Sequence, residues 1–190
     1  IIGRNLPSLA NQCLPLDDFK GAYKATRYLI ELGHQRIAHI TGILSHQDAV
    51  ERRRGYEQAL VDAGLEPDPE LIIEGNFLEQ SGVLATEILF TRSRTFSAIF
   101  AANDQMAYGV LLALYRRGIR VPDDISIIGF DDQRTTAYTT PPLTTIRQPA
   151  IEIGETAAQA ILHLLKDKPF TIPEFPAQLI IRESVARYRY

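Results

Sequence analysis

Two hydrophobic periods alternate along this chain. Short apolar runs take turns with longer stretches whose apolar residues recur every three or four positions, the spacing of one helix face. Asp17 and Asp18 are candidate N-caps for a first helix with the stripe Ala22, Ala25, Leu29 and Leu32, closed by Gly33. Residues 36–41 read as a strand. Asp48 opens a second helix with Ala49, Tyr56, Ala59, Leu60 and Ala63 on one face, stopped by Gly64. A strand near 71–74 precedes a helix over 79–91, and 97–102 is a short apolar strand. Asn103 or Asp104 caps the next helix, whose stripe is Met106, Ala107, Val110, Leu111 and Leu114; Gly118 ends it, and 125–128 forms another strand.

This alternation predicts βαβ units and an α/β fold, a parallel sheet flanked by helices on both faces. The strands are apolar throughout, as doubly covered strands are. After Asp132 the rhythm changes. A polar loop with Pro141-Pro142 leads to Thr145-Ile146. A helix follows with Gly154, Ala157, Ala158, Ile161, Leu162 and Leu165 on one face. Residues 168–176 carry three prolines and read as extended, and 178–181 is a last strand. The expected division is a main lobe of 17–147 with 177–190, and pieces of a second lobe, 1–16 and 148–176. Crossovers join them near Leu16, Gln148 and Pro176. With its parent lobe largely missing, the 150–165 helix is expected to expose its apolar stripe.

Composition narrows the picture. The 190 residues are 45% hydrophobic and 23% charged, ordinary globular values that exclude a disordered tail or a fibrous repeat. No apolar run is long enough to cross a bilayer, so no membrane partner is expected. The net charge of −3 makes the chain as a whole a poor match for a phosphate backbone. Cys13 is the single cysteine, consistent with a reducing cytoplasm. The first residue is Ile1 and the chain opens as if in mid-strand, so it reads as a fragment.

In open parallel sheets the loops after the strands' carboxyl ends form the ligand crevice. Those loops carry Ser45, Asp48 and Arg52, then Asn76-Phe77, then Asn103-Asp104, then Asp131-Asp132, with Gln148 at a crossover. Carboxylates accept from neighbouring hydroxyls, amides donate and accept, and arginine offers a planar fork of donors. Phe77 can cover a sugar face or a flat base. Singly, each has a plainer role: Asn103 or Asp104 as a helix cap, Asp131-Asp132 as turn residues, Phe77 as packing. Their shared place at one sheet edge is what singles them out.

The segments Asn103-Asp104-Gln105-Met106-Ala107-Tyr108-Gly109, Gly118-Ile119-Arg120-Val121-Pro122-Asp123-Asp124-Ile125-Ser126, Ile128-Gly129-Phe130-Asp131-Asp132 and Pro142-Leu143-Thr144-Thr145-Ile146-Arg147-Gln148 resemble the LacI/GalR family of bacterial transcription regulators. Asp18, the 29–34 stretch, Arg52-Arg53-Arg54-Gly55-Tyr56 and Ile181-Arg182-Glu183-Ser184 fit the same pattern, in order along the chain. The resemblance implies a periplasmic-binding-protein-like effector domain, with nearly all of the second lobe and the last part of the first. It implies a small-molecule effector, a sugar, in the interlobe cleft. It further implies a cytoplasmic homodimer that reaches operator DNA through an N-terminal helix-turn-helix not contained in this chain. By motif, Arg52 resembles the arginine that holds ligand hydroxyls or a carboxylate, with Asp48 one turn before it. Phe77 matches a stacking position, Asn103 a polar contact, Asp131 the hydroxyl-chelating carboxylate, and Gln148 a contact at the cleft bottom. Gly3 departs from the Asp or Asn that many relatives carry.

Two other classes compete. A periplasmic sugar-binding protein of a transport system would share the fold. An enzyme is disfavoured, because Gly-x-Gly, a Walker A loop, Gly-x-Ser-x-Gly and His-Glu-x-x-His are all missing. His34, His39, His46 and His163 lack ligand spacing, so neither a metal nor a cofactor is expected. Replacing Arg52 or Asp131 by Ala is expected to abolish ligand binding and leave thermal unfolding nearly unchanged.

Overall fold

A computed structural model describes residues 1–3, 7–14, 16–92 and 95–188. The main body begins with α1 (Asp18–Glu31), β1 (Ile37–Thr41) and α2 (Gln47–Asp62). There follow β2 (Ile72–Glu74), α3 (Glu79–Thr91), β3 (Ala98–Ala101), α4 (Asp104–Arg116) and β4 (Ser126–Ile128). The sheet is parallel with strand order β2-β1-β3-β4. Two isolated parallel bridges, Ile128 to Thr144 and Asp131 to Arg147, carry it on to β5 (Thr145–Arg147). There β6 (Gln178–Ile180), the last strand read from the sequence, runs antiparallel to β5. α5 (Ala150–Leu164) lies between β5 and β6 in the chain.

Every residue of β1, β3 and β4 is buried, which explains why these strands show no polar alternation. Ala38, Ile40, Ile99 and Ala101 point into a core shared with Leu89 of α3 and Met106, Val110 and Leu114 of α4. Ile37, Ala98, Phe100 and Ile128 point the other way, onto Ala22, Ala25 and Leu29 of α1 and Tyr56 and Leu60 of α2. Gly82 and Gly109 bring α3 and α4 together; a Cβ on either would meet backbone of the partner helix at 2.1 and 2.0 Å. The chain after β6 ties off the sheet. Ser184 donates to the Ile127 carbonyl at 2.6 Å, and His34 joins the Ser97 hydroxyl at 2.8 Å to the Ala186 carbonyl at 3.0 Å.

Away from the sheet, Ile1, Leu14, Ala157, Ile161, Leu164 and Phe170 line a groove of about 410 Å³. Only Ile153 of α5 is buried, and Ile151 and Leu165 are both 76% exposed. The apolar stripe read from the sequence does face outward.

Candidate functional site

The strand order reverses between β1 and β3, so the loops leaving these strands splay apart and open a crevice. A cavity of about 250 Å³ lies there, lined by Ile2, Gly3, Leu16, His46, Asp48 and Arg52, among others.

Arg52 sits at its base, in the second turn of α2, and is 5% exposed. Its Nε donates to Asp18 Oδ1 at 2.9 Å and its Nη1 to the Ala102 carbonyl at 2.6 Å. Nη2 lies 3.7 Å from Asp131 Oδ1, and the guanidinium carbon stands 3.9 Å above the centre of the Phe130 ring. Asp18 Oδ1 also accepts from Gln148 Nε2 at 3.0 Å. One carboxylate oxygen thus holds both Arg52 and Gln148. Of the two expected caps, Asp17 stands at the N-cap position of α1 and Asp18 is its first residue. Neither side chain bonds the helix start, and Asp18 turns inward instead. Burial raises its pKa, with Arg52 pulling against it. Asp48 stands in the first turn of α2, which His46 rather than Asp48 precedes as cap; Asp48 Oδ1 accepts from the Ala49 N–H at 2.9 Å.

Phe77 and Asn103 meet across the crevice. Asn103 caps α4, its Oδ1 accepting from the Met106 N–H at 2.9 Å, while its Nδ2 donates to the Phe77 carbonyl at 2.9 Å. It is both a cap and a strut, with one amide hydrogen left. Phe77 has φ 68°, a left-handed conformation rare for an aromatic residue. Its ring fills the space where a Cβ on Gly42 would stand, 1.9 Å from its Cζ. The His46 ring is stacked 6.1 Å away.

The third wall is the loop after β4. Asp131 and Asp132 have φ 110° and 55°. Asp104, the first residue of α4, grips both flanks of this pair. Its N–H donates to the Phe130 carbonyl at 2.8 Å, and its Oδ2 accepts from the Gln133 N–H at 2.8 Å. Its Oδ1 accepts from the Thr145 hydroxyl at 2.6 Å. Burial pushes the Asp104 carboxyl up to about 7, held back by those two hydrogen bonds. Asp131 presents a side chain that is 31% exposed. Its pKa is raised to about 6, first by burial, with Arg52 lowering it and Asp18 and Asp48 adding repulsion. Strained residues gathered at one edge are a mark of functional sites.

Of the six residues singled out in the sequence, Asp48 and Arg52 line the cavity; Asp131 and Gln148 join Arg52 around Asp18, and Asn103 is tied to the Phe77 carbonyl beyond the lining. Asp132 does not join them. It is tied by Arg147 Nε and Arg182 Nη2, both at 2.6 Å, and fastens the C-terminal segment. Sequence reasoning placed Asp104 in the crevice loops but not among the binding residues, and read Asp18 as a helix cap, because an acid at a helix start looks like a cap. It also misjudged Arg52, whose removal would strand the buried Asp18. Among the described residues no group of His, Cys, Asp and Glu gathers as a metal site. No helix there is long and apolar enough to cross a membrane.

Residues 26–185 match the periplasmic binding protein-like domain family. The chain is 42% identical to the HTH-type transcriptional repressor PurR of Vibrio atlanticus (strain LGP32), over 78% of this chain and 45% of that protein. It is 40% identical to the HTH-type transcriptional regulator GalR of Escherichia coli (strain K12), over 98% and 55%. The crystal structure of a sugar-binding LacI-family regulator from Escherichia coli, complexed with phosphate, superposes with TM-score 0.93 at 34% identity, covering 98% of this chain and 68% of that one. The chain spans about half the length of the curated relatives it matches. Fold, crevice and sequence agree: the chain belongs to the periplasmic binding protein-like domain family, in the form carried by LacI/GalR transcriptional regulators.

Proposed function

We propose that this chain is the effector-binding part of a DNA-binding transcriptional regulator. A small polyhydroxylated molecule, a sugar, occupies the crevice and changes the operator affinity of a homodimer. The binding residues are Asp48, Arg52, Phe77, Asn103, Asp131 and Gln148. One observation carries this reading. Arg52 at a cavity of about 250 Å³ stands 3.7 Å from Asp131 and shares the Asp18 carboxylate with Gln148, so polar side chains from separate turns gather beside a space of sugar size. Residues 17–147 with 177–190 form the main lobe; residues 1–16 and 148–176 belong to the other, which explains the outward stripe of α5. Ligand acts by its differential affinity for two lobe arrangements. The named relatives are regulators, which supports a cytoplasmic sensor over a transport protein and over an enzyme. Operator DNA is contacted by a helix-turn-helix of the parent protein.

Thermal shift with a panel of neutral sugars and purines tests it. A ligand at 100 times its Kd adds about 2.7 kcal/mol of stability. The expected result is a shift with at least one member, lost in Asp131→Asn. A panel without effect, or a shift that survives both Asp131→Asn and Arg52→Lys, refutes the assignment.

A further inference from the structure

Among the helices that begin at the crevice are α1, α2 and α4. Helix N-termini attract anions, through unpaired N–H groups and the positive end of the dipole. Here each of the three carries a carboxylate of the chain in its first turn, Asp18, Asp48 and Asp104. Asp48 takes the Ala49 N–H, and the Asn103 amide takes that of Met106. One N–H at the start of α2 and one at the start of α4 are thus already taken, and α1 sets the Asp18 carboxylate at its start. The one buried arginine or lysine among the described residues is also committed, because Arg52 donates to Asp18 and to the Ala102 carbonyl and turns its remaining nitrogen to Asp131. Lys20 is exposed and pairs with Asp17 at 3.4 Å. Three carboxylates, Asp18, Asp48 and Asp131, thus stand against one guanidinium. Such a wall accepts hydrogen bonds from adjacent hydroxyls and repels negative charge.

We infer that the crevice selects a neutral polyhydroxylated ligand and rejects its phosphorylated or carboxylated counterpart. This rests on the effector-binding reading above and sharpens it to a ligand class.

Calorimetric titration of the intact chain with matched pairs tests it: glucose and glucose 6-phosphate, galactose and galactose 1-phosphate, ribose and ribose 5-phosphate, glucose and gluconate. Inorganic phosphate is titrated alone. The neutral member of at least one pair should bind, with its anionic partner weaker by at least about tenfold. Inorganic phosphate should leave the melting temperature unchanged at millimolar concentration. Asp48→Asn should move the affinity ratio toward the phosphorylated member. An anionic member that binds as tightly as its parent overturns the inference and leaves the effector reading standing. So does stabilisation by inorganic phosphate that Arg52→Lys abolishes. Should no member of any pair bind, the effector reading falls, and this inference with it.

Discussion

At the scale of residues, Arg52 and Asp131 play different parts although they face each other. Arg52 is buried and bound to Asp18, so its removal leaves an uncompensated carboxylate in the interior. Arg52→Ala should cost ~3–5 kcal/mol in denaturant unfolding, partly recovered by adding Asp18→Asn. The Asp131 side chain faces Arg52 at 3.7 Å and is partly open to solvent. Asp131→Asn should weaken sugar binding about tenfold or more in calorimetry and change unfolding by less than ~1 kcal/mol. Its pKa near 6 gives a second check. At pH 7 the group is charged and accepts from hydroxyls, so ligand affinity should fall as the pH drops through 6. An affinity that rises on acidification would contradict the role given to Asp131.

Among the elements, the loop after β4 and the start of α4 behave as one unit. Asp104 holds Phe130 and Gln133 on either side of two residues in left-handed conformations, and Gly129 leaves room for it. A Cβ at Gly129 would lie 2.3 Å from Asp104 Oδ1. Gly129→Ala should therefore destabilise by ~1–3 kcal/mol and weaken ligand binding through Asp131, which it does not touch. The measurement is the Kd beside the unfolding free energy. Normal affinity in a destabilised variant would show that the loop holds its shape without this grip. Element placement was legible in the sequence: Gly33, Gly64 and Gly118 end α1, α2 and α4 with positive φ, where predicted. Asp17 and Asp18 show what was not. Both look like caps, and only the approach of α2 decides that the second one reaches Arg52.

Across the whole molecule, titrating groups oppose one another. His39 is stacked between Tyr56 and Phe100 at 4.7 Å, and burial lowers its pKa from 6.5 to about 4. The unfolded chain binds this proton more readily, so the His39 contribution is present above pH 6.5 and is lost as the pH falls toward 4. Asp104 and Asp131 are raised from 3.8, to about 7 and about 6, and act in reverse. Their contributions are complete below pH 4 and disappear as the pH rises through 6 to 7. In Asp104→Asn, unfolding measured by denaturant should lose part of the fall in stability between pH 5 and 7. Stability is also uneven in space. α5 buries only Ile153, so its amides should exchange with solvent ahead of those of α2 and α4.

The sequence by itself determined the alternation of strands and helices, the doubly covered parallel sheet, the glycine stops and the set of polar residues at one sheet edge. Each follows from local periodicity and from the rule that parallel strands need crossover helices. The tertiary structure alone decided which carboxylates face inward, that β6 turns antiparallel, and that Arg52 is spent on internal partners. Hydrogen-bond partners lie as far apart in sequence as Asp18 and Gln148, and no local pattern encodes a distance between them.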